Sequence, residues 1–576
     1  MLQKRNRTQW FITIAVMILS FGVSFGDVSY LSLDPLSKTV VAKSSPVASQ
    51  DVINLPLITW GGDIATVYAA RKGGEFEAEG LKVNLQTEND FRKQVENFIS
   101  GKTPFLRGTM GMVNAAVEAC EQAGVRLVVV HQMTWSVGGD TIVVRDGDRV
   151  RQAKDLRGKT IALQRYGPHM DYLVKILSDA GVKISEVKLK WLRELTLPIG
   201  YSDPEIIDPV SAFKADSSLD AVMCIIPDAS ALTSGGKVGT GSEGSVKGAR
   251  ILLTTKTASR VIADTYAVRE DYFQANREQV QKLVHALLLA QEGFANLVKN
   301  KAGQQAVYRQ IIGEAAKLII EGDYASTEAM IGDCELVGHN GNVAFFTGQG
   351  TMRNFQNMTS EIQNWFIDMG LLSKRVDLLC AEWDWNDLAK GLTNVGVAPV
   401  VKAQFDNAKL TTAIENKIAA EATSWDQDIL FDNEINFDPN EREFAEAKYA
   451  EDFKKALGFV QTYGGAMLAI EGHSDPLQIL KDRQAGVDQK AIAQKEQIAK
   501  NLSVERARAV RLSFINFCRS HKYTLDETRL VAVGRGIESP KFSPPKTKAE
   551  WAANRRVRFL IKNVEAEAAE FTPLGQ

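Results

Sequence analysis

Leu468–Ala469–Ile470–Glu471–Gly472–His473–Ser474–Asp475 is an apolar strand that ends in a glycine and a short acidic loop. It is answered downstream by Leu502–Ser503–Val504–Glu505–Arg506–Ala507, and then by Asn554–Arg555–Arg556–Val557. Strand, loop, helix and basic strand in that order predict an α+β unit. A carboxylate at Asp475 and a guanidinium at Arg506, on adjoining loop and helix ends, can grip a small zwitterionic group through charge-assisted hydrogen bonds. Taken alone, the pair also reads as an internal salt bridge, and His473 as a structural loop residue. Ser503 reads as the N-cap of its helix with Arg506 at N3, which would turn the positive end of the helix dipole toward a bound carboxylate. Val510, Phe514 and Phe517 continue the helix as an apolar stripe.

Together these motifs resemble the OmpA-like peptidoglycan-binding domain, over roughly the last quarter of the chain. Leu430–Phe431 and Ile435–Asn436–Phe437, around an acidic loop, resemble its opening strand. The resemblance implies that Asp475 takes the amino-acid end of diaminopimelate in the cell-wall stem peptide and that Arg506 takes its carboxylate. Asn554 and Arg556 are the further candidate contacts. The chain departs from the pattern between Leu477 and Lys500, a polar, helical stretch without the family's glycine and asparagine markers.

A chain of 576 residues needs roughly three or four domains. Its formal net charge of −2 gives no reason to expect a nucleic-acid or other polyanionic partner. Cys120, Cys224, Cys334, Cys380 and Cys518 are scattered without metal-ligand or redox spacing, so neither a metal, a cofactor nor a disulfide framework is called for. At the start, Lys4, Arg5 and Arg7 precede an apolar run from Trp10 to Gly26, the form of an export signal. Residues 1–26 are therefore a signal peptide cleaved after Gly26 or an uncleaved signal anchor. No cysteine follows the run, which excludes a lipoprotein anchor. Residues 27–51, rich in Ser, Val and Lys with Pro35 and Pro46, read as a linker.

From Ile53 the pattern alternates between strands and helices, which predicts parallel α/β structure. Here Gly73–Gly74–Glu75–Phe76–Glu77–Ala78–Glu79–Gly80–Leu81–Lys82–Val83, Gly138–Gly139–Asp140–Thr141–Ile142–Val143–Val144, Asp155 to Pro168 and the strand Asp220 to Asp228 resemble periplasmic substrate-binding proteins of the nitrate/sulfonate/taurine transporter type. The likeness covers roughly residues 51–375. It implies a two-lobed periplasmic-binding-protein fold (type II-like), closing on a small anionic or sulfonate-like solute. Loops at the carboxyl ends of parallel strands supply the candidate cleft residues. These are Trp60, Gly61, Gly62, Thr109, Asn114, Trp135, Ser136, Tyr166, His169 and Asp228. Trp60 and Trp135 read equally well as core aromatics, His169 as a capping or surface residue, and Asp228 as a helix cap. Thr134–Gly139 reads as a loop between two strands. Two departures stand out: Phe105–Leu106–Arg107 replaces an acidic, glycine-rich strand end, and Ser234–Gly248 is a polar insertion that reads as a mobile surface loop.

The expected organisation is a two-lobed solute-binding domain over 52–375 (second lobe about 137–253), a helical connector over 376–427, the OmpA-like domain over 428–565 and a tail over 566–576. The expected function is an exported solute-binding protein of the cell envelope, associated with peptidoglycan and carrying a membrane tether if the signal is retained, that serves an ABC transporter permease or a sensor. Two alternatives stand beside it. One is a structural envelope protein whose first domain binds a protein partner. The other is a relative of the thiamine pyrimidine synthases, which need a cysteine-rich motif and a suitably placed histidine where this chain has only isolated cysteines.

Overall fold

The computed structural model describes residues 28–47, 51–195, 208–242, 244–395, 407–420, 429–436 and 446–562. The predicted export signal lies outside them. Strand β1 (Ile53–Leu57) pairs in parallel with β2 (Val83–Thr87). Beside β1 runs β3 (Phe105–Thr109), and β4 (Leu127–Ser136) follows after a helix over Met110–Gln122. The chain then crosses to a second lobe made of β5 (Asp140–Val144), β6 (Thr160–Gln164), β7 (Lys188–Leu192), β8 (Ala221–Ile225) and β9 (Arg250–Thr254), in the order β7-β6-β8-β5-β9. It returns through β10 (Ala263–Arg269), which lies antiparallel between β3 and β4. Short strands β11 (Cys334–Leu336) and β12 (Leu379–Cys380) add to β4. Both lobes therefore carry mixed sheets flanked by helices, joined by two crossovers; where parallel structure was expected, β3, β10, β4 and β11 pair antiparallel in lobe one and β8, β5 and β9 in lobe two.

β4 is longer than expected. Thr134–Trp135–Ser136 continues the strand rather than forming a loop, because β11 pairs with these three residues and supplies the partners a loop would lack. The insertion at 234–248 folds back on lobe two: Gly248 N–H donates to Gly239 at 2.8 Å and Gly147 N–H to Gly248 at 3.1 Å, at the sheet end away from the crossovers.

The C-terminal unit has strands β13 (Ile429–Asn436), β14 (Met467–Gly472), β15 (Leu530–Gly534) and β16 (Arg556–Lys562), ordered β13-β16-β14-β15. β14 and β15 are parallel and the other pairs antiparallel, giving the expected α+β character. β13 runs unbroken through the stretch expected to hold a loop, because β16 pairs with it along its length. Phe453, Phe514 and Phe517 fill one face of the sheet. Leu410, Ile414 and Ile418 of the helix Asn407–Ala420 cover the other. A stretch expected to be a connector thus completes the C-terminal sheet, while Trp383, just upstream, packs into lobe one and donates from Nε1 to Val130 O at 2.9 Å.

Two segments bind the units together. Residues 28–47, expected to be a linker, lie across both lobes. Leu31 bridges to Trp191 in lobe two, Leu36 is buried, and Ser45 O accepts from Arg269 in lobe one. On the C-terminal side, Tyr463 Oη donates to Asp179 of lobe two at 2.7 Å. Gly465 N–H donates to Thr257 O at 3.1 Å and Arg260 N–H to Thr462 O at 3.1 Å, both on the returning crossover.

Candidate functional site

The two crossovers meet at Thr255. Its hydroxyl accepts from the N–H groups of Gly138 at 3.0 Å and Asp140 at 3.1 Å and lies 2.8 Å from Ser136 Oγ, while Ser136 N–H donates to Ile262 O at 3.1 Å. This stitching leaves Gly138–Gly139–Asp140 as the point where strand-end loops of both lobes converge.

From lobe one, the turn after β1 brings Trp60. Its indole N–H donates to Thr134 Oγ1 at 2.9 Å, and its six-membered ring lies against Gly139, where a Cβ would stand 2.8 Å from Cζ3. Gly61 and Gly62 let the turn pass against Met330 and Thr134. Behind Trp60, Thr134 donates to Asp264 at 2.9 Å, and Arg107 bridges Asp264 (2.8 Å) and Asp63 (2.7 Å). Arg107 and Asp63 are wholly buried. The residue that departs from the family pattern thus neutralises carboxylates inside lobe one instead of facing a cleft. Burial outweighs the Arg107 charge at Asp63 and pushes its carboxyl up to about 6.

From lobe two, His169 heads the helix His169–Asp179 and donates from Nε2 to Asp140 Oδ1 at 2.9 Å. Ser136 Oγ donates to Asp140 Oδ2 at 2.6 Å. The carboxylate stands between serine and histidine, so the imidazole does not take the serine proton as a base would. Asp333 sits at Gly138 and Gly139, with burial and neighbouring Asp140 raising its carboxyl to about 6. Asp171, in the first turn of the same helix, lies against Gly111 of lobe one.

Of the predicted cleft residues, Trp60, Gly61, Gly62, Ser136 and His169 gather at this junction. Thr109 caps the helix Met110–Gln122 by accepting from Met112 N–H. Asn114 is buried, donating to Met110 O at 2.9 Å and accepting from Gln363 at 3.0 Å. Trp135 packs edge-on to Phe345. Tyr166 turns toward the N-terminal segment, its hydroxyl donating to Asp34 O. Asp228 lies in the first turn of the helix Ile226–Leu232, half-buried. Asp140, Asp171, Asp333 and Thr255 were not singled out from the sequence. Only Asp140, inside the quoted Gly138–Val144 run, had a signal that could have found it.

In the C-terminal unit the helix Gln489–Ser520 rides directly on the ends of β14 and β15, and a Cβ on Gly472 would fall 2.1 Å from Ser503 O. Ser503 is therefore not an N-cap. Asp488 caps this helix instead, accepting from Lys490 and Ala491 N–H, and no Gly or Pro interrupts the run to Ser520. Arg506 stands mid-helix, 6 % exposed, away from any helix-end dipole. Ser503 Oγ accepts from Gly536 N–H at 2.9 Å, and Ser474 N–H donates to Gly536 O at 2.7 Å, which binds the acidic loop to the helix.

Asp475 accepts from Leu477 N–H at 3.0 Å and lies 3.6 Å from Arg555 Nη1. Asn554 clamps its own loop through Phe542, and Arg556 donates to Ser539 O at 2.9 Å. Arg555, between those two candidates, is the member of the motif next to Asp475. His473 is buried and donates to Glu471 at 2.8 Å. Burial works to raise the Glu471 carboxyl, but His473, Arg558 and Arg535 together hold it down at about 2. Burial pushes the Cys120 and Cys518 thiols up to about 12.

A family model described as NMT1/THI5 like matches residues 62–198. No curated protein matches the chain. Among solved structures, the periplasmic aliphatic sulphonate binding protein SsuA from Escherichia coli is similar at 15% identity and TM-score 0.39, over 57% of this chain and 91% of that one. The alkanesulfonate-binding protein SsuA from Xanthomonas axonopodis pv. citri, bound to MOPS, has 17% identity and TM-score 0.38, over 58% and 100%. The periplasmic nitrate-binding protein NrtA from Synechocystis PCC 6803 has 12% identity and TM-score 0.40, over 59% and 89%.

Proposed function

We propose that this chain is an exported, wall-associated solute-binding protein. Its two lobes close on a small anionic or sulfonate-like molecule, for delivery to an ABC transporter permease or for sensing, while the C-terminal unit holds the peptidoglycan stem peptide. The observation that carries the solute reading is the convergence of Trp60, from the first strand end of lobe one, and His169, from a helix start of lobe two, on the stitched crossover Gly138–Asp140. The NMT1/THI5-like match over 62–198 begins just after Trp60 and includes His169 and the crossover Gly138–Asp140, which supports it. A second reading, a solute bearing an ammonium group, is favoured by the Asp140 carboxylate at the same junction, whose charge opposes an anion.

For the wall-binding unit, Asp475 remains the candidate for the ammonium end of diaminopimelate and Arg506 for its carboxylate. Arg555 joins them in place of Asn554 and Arg556, whose polar atoms serve the loop over 539–542. Two experiments test the function. Melting temperature against nitrate, methanesulfonate, taurine and small amines should rise with one class through linkage, and a flat response across all would count against solute capture. Pull-down by purified peptidoglycan should be lost in Asp475→Ala and in Arg506→Ala, and retention in both would remove the wall assignment.

A further inference from the structure

A cavity of about 230 Å³ lies on the flank of the hinge, apart from the strand-end junction, where three bodies meet. Lys175 of lobe two lines one side, Arg353 and Glu361 of the segment leading into and along the helix Phe355–Met369 line another, and Gly458 and Thr462 of the C-terminal helix Glu446–Thr462 close it. The charges are of both signs: the two cations are nearly buried, and Glu361 stands at the mouth with its side chain 39% exposed. The side chain of Arg353 is 4% exposed and that of Lys175 10%. Arg353 donates to Glu361 at 2.7 Å and to Arg260 O at 2.8 Å, and Lys175 to Asp179 at 2.8 Å. Glu361 also lies in the field of Lys175; burial works to raise its carboxyl, but Arg353 and Lys175 together bring it below the usual range. Two further observations point to an occupant. Thr462 Oγ1 is buried without a hydrogen-bond partner among the described residues, a state that costs free energy unless something fills it. Above Gly458 no atom lies within 4 Å of where a Cβ would stand.

We propose that this cavity is a binding site for a small zwitterion of amino-acid type. Its carboxylate is held by Lys175 and Arg353, its ammonium by Glu361, and Thr462 Oγ1 gains its missing partner. The size suits such a ligand: the volume is below the range of drug-sized pockets, about 300–1,000 Å³, and well above the roughly 30 Å³ share of one liquid water. Opposed charges at fixed positions favour a dipolar ion over either single ion, because each lone charge meets one repulsive wall. Since lobe two, lobe one and the C-terminal unit each contribute lining, occupancy fastens all three together.

The test is calorimetric titration of the full chain with glycine, L-alanine and D-alanine, with acetate and methylammonium as single-charge probes. One amino acid should bind one-to-one, and each single-charge probe at least tenfold more weakly. Gly458→Leu, whose side chain enters open space, should abolish the response while circular dichroism and unliganded melting stay near the parent's. Thr462→Val should weaken binding at least threefold, and Trp60→Ala should leave it unchanged. No binding by any of the three amino acids, or equal binding in Gly458→Leu, overturns the proposal. Binding lost in Trp60→Ala but kept in Gly458→Leu also overturns it, because it assigns the ligand to the strand-end junction.

Discussion

Gly111 of lobe one lies directly against the Asp171 carboxylate of lobe two: a Cβ at position 111 would stand 2.1 Å from Asp171 Oδ1. Neither carboxylate oxygen has a hydrogen-bond partner among the described residues, and the side chain is 1% exposed. The lobes are therefore in contact through an uncompensated polar group, and their closure is sensitive to size at one position and to charge at the other.

Size is tested by Gly111→Ala. Its methyl group overlaps the carboxylate, and neither backbone nor helix can shift without disturbing the core around Met110 and Val113. The expected loss is about 1–3 kcal/mol of stability, read as a lower denaturant midpoint, together with a larger radius of gyration by solution scattering as the lobes part. An unchanged midpoint and radius would show that the contact is not made in solution.

Charge is tested by pH. Burial raises the Asp171 carboxyl from its ordinary value to about 8, with smaller contributions from Asp140 and Asp264 in the same direction and from Arg353 against it. A raised folded-state value means the folded chain binds the proton more tightly than the unfolded one. The stability it contributes is full below the unfolded value near 4 and is lost as pH rises to about 8, with a slope of at most about 1.4 kcal/mol per pH unit. Asp171→Asn keeps the shape without the titration. The difference between parent and variant stability should change across pH 4–8 and be level above it. Parallel stability curves would contradict this.

Among the described residues, Arg107 is the one cation paired with Asp63 and Asp264, and all three are buried. Arg107→Met leaves two carboxylates without a counter-charge and should cost about 3–5 kcal/mol, measured by urea unfolding. Part of this should be recovered at low pH, where the carboxylates protonate. A variant as stable as the parent at neutral pH would show that the triad is not formed.

The C-terminal clasp joins the C-terminal unit to lobe two and to the returning crossover. Tyr463→Phe removes a hydrogen bond to a carboxylate worth about 1.5–3 kcal/mol, and Gly465→Ala places a methyl group 1.9 Å from Lys256 O. Limited proteolysis of the full chain should proceed faster in both variants than in the parent. Equal cleavage rates would mean that the clasp does not hold the units together.

The strand-helix alternation, the two crossovers and the strand ending at Gly472 were legible because period and punctuation are local properties of the chain. Three features were not. The N-terminal segment has linker composition, yet it lies across both lobes with Leu36 as its buried anchor. The helix Asn407–Ala420 carries Leu410, Ile414 and Ile418 at helical spacing, but only the finished sheet shows which face they cover. Ser503 resembles an N-cap by identity alone, while Asp488 upstream starts the helix. At the candidate site, the sequence marked the glycine turns and Trp60. It could not mark Asp171 or Thr255, whose roles come from elements far apart in the chain.

The most direct test of solute capture is a calorimetric titration of the full chain and its Trp60→Ala variant with nitrate, methanesulfonate, taurine and a small alkylamine. The account predicts one-to-one binding of one class, weakened at least tenfold in Trp60→Ala, about 1.4 kcal/mol, and unaffected by Asp475→Ala. No binding by any of them, or equal binding by parent and Trp60→Ala, would contradict it.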